Sequence, residues 1–200
     1  MFQHITILFS FIFAIAFTHL LASATALVLA RRRVRFSVLH AAWMVVASGF
    51  LLYDWITLVQ YSVTRWSIGE VMLQMSWVIP QYFTCSLLSI KVSEVGEVDM
   101  HAFFEEQRPA IFSAYIVLSV AILLETYLDR NNMGAGWTPN DWIGADLLTL
   151  PALLYSWIAG WAKSKRLQWM AACAALAQTF WFFWSFGGLV FDHAATSGSP

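Results

Sequence analysis

Along this chain the charged residues fall in short groups separated by long uncharged runs. Residues 1–30 hold no Asp, Glu, Lys or Arg; 36–64 hold only Asp54, 71–90 none, 109–128 only Glu125, 142–162 only Asp146, and 167–191 none. Each run is near or above the roughly 20 residues needed to cross a hydrocarbon core about 30 Å thick. Helices buried in a water-soluble core do not stay uncharged over such lengths. The pattern predicts six helices, at about 4–29, 38–62, 68–90, 109–128, 142–162 and 167–190. The expected fold class is all-α, a polytopic membrane helix bundle forming one transmembrane domain over 1–200.

Composition agrees: 60% of residues are hydrophobic and 12% charged, where a soluble domain carries about a quarter charged. Mean hydropathy is +0.65. A net charge of −1 gives no footing for a nucleic-acid partner. The two cysteines, Cys85 and Cys173, lie inside apolar runs and make no disulfide framework. Leu21–Ala26 imitates a signal-peptidase site, but no Lys or Arg precedes the first run, and Arg31, Arg32, Arg33 and Arg35 follow it as a stop-transfer signal. Helix 1 is therefore expected to stay in place.

The basic residues set an orientation. Nine of the eleven fall in the connections after helices 1, 3 and 5: four in 31–35, then Lys91 and Arg108, then Lys163, Lys165 and Arg166. Only Arg65 and Arg130 fall on the other side. Translocating positive charge is costly, so the odd-numbered connections are expected inside and both termini outside the cytoplasm. Trp66, Trp137 and Trp142 at the outer boundary, and Trp161 and Trp169 at the inner one, match an aromatic belt. The pattern resembles that of small bacterial inner-membrane proteins, which implies a location without an activity.

Two connections are long. Residues 91–108 read as a mostly acidic linker, with Phe103 and Phe104 dipping into the interface and Glu105 and Glu106 in water. Residues 129–141, rich in Gly and Asn, read as an outer turn in which Asn140 or Asp141 caps helix 5. An internal echo also runs through the chain. Leu51-Leu52-Tyr53-Asp54-Trp55-Ile56 recurs as Leu153-Leu154-Tyr155-Ser156-Trp157-Ile158, and Gln74-x-x-Trp77 as Gln178-x-x-Trp181. Three spans per half would make this a 3+3 inverted repeat, an architecture common among transporters.

Candidate chemistry rests on polar residues inside the apolar runs. Glu70 and Asp146 sit in the first turns of helices 3 and 5, where the helix dipole favours a carboxylate. Asp54 and Glu125 approach helix C-terminal ends, where it does not. Centring 36–64 in the bilayer puts Asp54 about 6 Å to the outer side of the midplane, and centring 1–30 puts His19 about 5 Å to the inner side. A carboxylate there costs roughly 2.5–3.5 kcal/mol to insert, so Asp54 should face the bundle interior. Asp54, His19, Gln74, Gln178 and Glu125, with Gln81 and the carbonyls released by Pro80 and Pro151, are the candidate polar pathway. The competing reading has the same groups hydrogen-bonding across helices for packing alone.

No catalytic or cofactor signature is present, and none is predicted. Haem between helices needs two histidines at one depth on facing helices, and only His4 and His193 share a level; with Asp192 they form a weak candidate for a surface metal site. The functional expectation is a small channel or proton-linked transporter, homo-oligomeric or joined to a membrane partner subunit. The alternative is a non-catalytic membrane assembly or scaffold subunit. A redox protein binding haem or quinone stands third.

Overall fold

The computed structural model describes residues 2–60, 68–92, 97–132 and 139–196, with side chains over 5–56, 68–92, 97–128 and 149–184. Within them the fold is all-α: α1 (Phe2–Leu29), α2 (Val38–Gln60), α3 (Ile68–Leu88), α4 (Met100–Asn132), α5 (Pro139–Trp161) and α6 (Lys165–Thr196). Three of these contain stretches long and apolar enough to cross a membrane: Ile5–Leu29, Val38–Ile56 and Met100–Leu128. In α3 the glutamines, hydroxyls and Pro80 dilute the apolar run.

The helices pack in a ring whose spatial order is α1, α3, α4, α5, α6, α2, with α2 also touching α3 and α4 across the middle. Two glycines permit close approach: a Cβ on Gly49 of α2 would overlap Thr179 Cγ2 on α6, and one on Gly160 of α5 would lie 3.0 Å from Phe112 Cβ on α4. Large side chains fill the centre, among them Trp43, Phe9, Phe104, Phe112 and Leu51. Other large apolar side chains face outward, with Trp184 85% and Phe180 74% exposed, while Gln81, Thr84 and Ser156 are fully buried. This apolar exterior around a partly polar interior inverts the arrangement of a water-soluble fold and is compatible with lipid as solvent.

One end of the bundle is tied together. A two-residue parallel bridge joins β1 (Val34–Arg35) to β2 (Val98–Asp99), with Val34 opposite Val98 and Arg35 opposite Asp99. Arg35 Nη1 donates to Asp99 Oδ2 at 3.1 Å. Asp99 Oδ1 caps α4 by accepting the His101 and Ala102 N–H groups at 2.9 and 3.0 Å. The Ala102 N–H, then that of His101 and the Arg35 guanidinium, hold the Asp99 carboxyl below its usual range. Ser23 Oγ accepts the Ile90 N–H at 2.9 Å, and Arg108 and Gln168 both donate to the Ala162 carbonyl. The connections after α1, α3 and α5 therefore meet at the same end.

The segment 91–108 differs from the expected linker. α4 begins at Met100 rather than 109, and Pro109 lies inside it. Asp99 supplies the cap that starts the helix, and the apolar side of its first turns is covered: Met100 and Phe104 are buried, and Phe103 is packed against the core. Glu106 stays exposed and Glu105 pairs with Arg108 at 3.2 Å, so the expected wet carboxylates are on the outer face of a helix.

Candidate functional site

A helix brings residues three or four apart onto one face. On α2 that spacing gives a buried line of His40, Trp43, Ala47, Leu51 and Asp54. On α3 it gives Gln74, Trp77, Gln81 and Cys85, and on α5 Thr149, Ala152 and Ser156. These lines face inward together with Tyr115 of α4. Asp54 is 8% exposed, and its Oδ2 has no hydrogen-bond partner among the described residues. Tyr115 Oη, Ser156 Oγ, both amide atoms of Gln81 and the indole nitrogens of Trp43 and Trp77 are likewise buried and unpartnered among the described residues.

A buried polar atom left unsatisfied costs about 1–3 kcal/mol, so these groups make the interior between α2, α3, α4 and α5 more polar than packing alone requires.

Below this polar interior lies an aromatic layer. Trp43 meets Phe112 edge-on at 4.6 Å between ring centres, with Tyr115 at 5.8 Å and Tyr155 at 6.1 Å. Phe104 continues the layer, 6.2 Å from Phe112, and His40 stacks on Phe103 and Phe104, both at 5.6 Å. His40 Nε2 sits 2.8 Å from the Leu88 carbonyl oxygen at the end of α3, so the imidazole belongs to the tied end of the bundle. The rings stand between that end and Asp54.

The candidates predicted from sequence divide. Gln74 is buried and donates through Nε2 to Glu125 Oε1, linking α3 to α4. Gln178 is half-buried on α6. His19 is exposed on α1, its ring edge-on to Tyr82 at 5.8 Å, and no hydrogen bond joins it to Asp54. The side chains of His4, Asp192 and His193, like that of Asp146, lie outside the described residues, as do Trp66, Trp137 and Trp142 of the outer belt. Among the described residues no three His, Cys, Asp or Glu side chains gather as a metal site would require.

No known family, curated protein or solved structure matches the chain. The site is therefore characterised by its own residues. Sequence reasoning missed Tyr115, Cys85 and Ser156. A signal for Ser156 was present, since the echo aligns it with Asp54. Cys85 extends the Gln74, Trp77, Gln81 line by one helical turn. Nothing in its neighbouring sequence distinguishes Tyr115 from an ordinary core tyrosine.

Proposed function

We propose that the chain is a six-span inner-membrane protein, its termini outside the cytoplasm, that acts as a small channel or proton-linked transporter. Asp54 is the group that exchanges the proton or cation. The observation that carries this reading is the buried Asp54 side chain, whose Oδ2 is unpartnered among the described residues, set among other unpartnered polar atoms in an apolar bundle. A carboxyl kept there at a cost of several kcal/mol marks an ion or proton path by default. Gln81, Tyr115 and Ser156 would line the path with donors and acceptors, and the Trp43 layer would form its narrow, dry segment. Six helices of this length enclose a limited interior, which favours a homo-oligomer or a membrane partner.

The echo supports a 3+3 ancestry, because it pairs Asp54 with Ser156, both buried, and Gln74 with Gln178. The packing weighs on the other side. Exchanging the halves would map the α3–α4 contact onto an α6–α1 contact, which has no comparable counterpart among the described residues. Trp77 is 7% exposed and its counterpart Trp181 52%. The assembly-subunit reading draws on the Gln74–Glu125 link and on the exposed band of Phe180, Trp181 and Trp184, which offers apolar area to a membrane partner.

Proton or cation flux through reconstituted vesicles under an imposed pH gradient separates the two. Asp54→Asn keeps the shape of the side chain, so it should insert and assemble normally yet abolish the flux. Equal flux for wild type and variant, or none above empty vesicles for either, refutes the transport reading. A structural Asp54 would instead show itself in Asp54→Leu, with a loss of stability of about 0.6–2 kcal/mol and no flux to lose.

A further inference from the structure

A groove of about 490 Å³ runs down the outside of the bundle between α1 and α2. Its base is formed by Leu20 and Met44, and its rims by Leu21, Val28, Phe36 and Val45, all four more than half exposed. The one hydroxyl in the lining, Ser48 Oγ, donates to the Met44 carbonyl of its own helix at 2.8 Å, leaving the walls apolar. The groove ends at Arg31, the one charged residue that lines it.

Its length and its end both point to an occupant. Along α1 and the turn that follows it the lining extends from Leu20 to Arg31, a separation of eleven residues or about 16 Å at helical rise, close to half of a hydrocarbon core about 30 Å thick. It opens outward, toward where acyl chains would lie, and it ends where the basic connections gather. Arg35 is already engaged by Asp99, whereas the Arg31 and Arg32 side chains are exposed and their guanidinium groups form no hydrogen bond or ion pair among the described residues. A guanidinium at the end of a dry, chain-length groove suits a phosphate carried on the same glycerol as an acyl chain.

We propose that this groove holds one acyl chain of an anionic glycerophospholipid whose headgroup phosphate is bound by Arg31. The inference needs the bundle to lie in a bilayer and does not depend on transport. An arginine at a lipid headgroup favours an anionic over a zwitterionic lipid by about fivefold in affinity. Filling the groove should remove binding of either lipid there.

The test uses the purified full chain in mild detergent, titrated separately with phosphatidylglycerol and phosphatidylcholine. Bound lipids are counted by native mass spectrometry and the melting temperature is followed in parallel. Wild type should retain phosphatidylglycerol about fivefold better and melt higher with it. Arg31→Gln should lose that preference, Arg31→Lys should keep most of it, and Ala24→Phe, which fills the groove, should lose the bound lipid altogether. Arg166→Gln, at a different basic connection, should behave as wild type. Equal retention of the two lipids by wild type overturns the proposal. So does a preference that survives Ala24→Phe, which would place the lipid on the general basic surface, or one that survives Arg31→Gln.

Discussion

Gly49 offers a quantitative test of how α2, the helix that carries Asp54, is held. A Cβ at this position would fall far inside van der Waals contact with Thr179 Cγ2, while Thr179 Cβ at 3.7 Å and Phe183 Cε2 at 3.6 Å would be ordinary neighbours. Thr179 cannot simply turn aside. It is β-branched, with a stiff χ1, and its hydroxyl donates to the Ala175 carbonyl at 2.8 Å. Rotating it forfeits that bond, about 0.5–1.5 kcal/mol, and moving the helices apart instead costs the 1–3 kcal/mol typical of overpacking. Against this, alanine in a helix interior is better than glycine by about 0.8–1 kcal/mol. Gly49→Ala should therefore be mildly destabilising alone and stabilising in a Thr179→Ser background, where the methyl is gone and the hydroxyl remains. The coupling between the two changes should be about 1–3 kcal/mol. Reversible unfolding of the four proteins in mixed micelles measures it. Additive effects would mean that α2 and α6 do not cross at this point.

Two further outcomes concern the tied end. Ser23→Ala should lower stability by about 1–3 kcal/mol because it strands the buried Ile90 N–H, whereas Ser23→Thr should not; matched losses for both would argue against this bond. Asp99 has a folded-state pKa below its unfolded value, so its cap stabilises the end fully above the unfolded carboxyl value of about 3.9 and is lost as pH falls through the lower folded value. Hydrogen exchange at amides 98–102, corrected for intrinsic rates, should accelerate at the acid limit in wild type and lose that dependence in Asp99→Asn. An unchanged acid dependence in the variant would refute the assignment.

Much of the helix pattern was legible because the charges that cannot enter an apolar run also mark its ends. Thus Arg35 closes the basic group that precedes α2, which runs from Val38. The meeting of residues 31–35, 98–108 and 162–168 follows from the same alternation, since connections two helices apart return to one end. The start of α4 was not legible. Arg108-Pro109 reads as a boundary, while the Asp99 cap and the burial of Phe104 against Phe112 depend on where α4 packs. Side-chain direction was likewise hidden. Depth arithmetic brought His19 and Asp54 close, yet the helix turns His19 outward toward Tyr82 and Asp54 inward. Uniformly apolar helices such as α1 give little periodic signal about which side is which.

The parallel bridge between residues 34–35 and 98–99 also bears on how the protein is made. A ribosome delivers the N-terminal part first, at roughly 5–20 residues per second. Once Asp99 emerges, the bridge can latch α1, α2 and α3 into a closed trio while most of the 101 residues from Met100 to Pro200 are still to be synthesised, an interval of several seconds at about 5–20 residues per second. During that interval α2 lacks α4 and α6, both of which pack against it and come later in the chain. The nascent trio must therefore keep a carboxyl at its open side until α4 arrives. The first half is therefore the stage of assembly at which Asp54 is least covered.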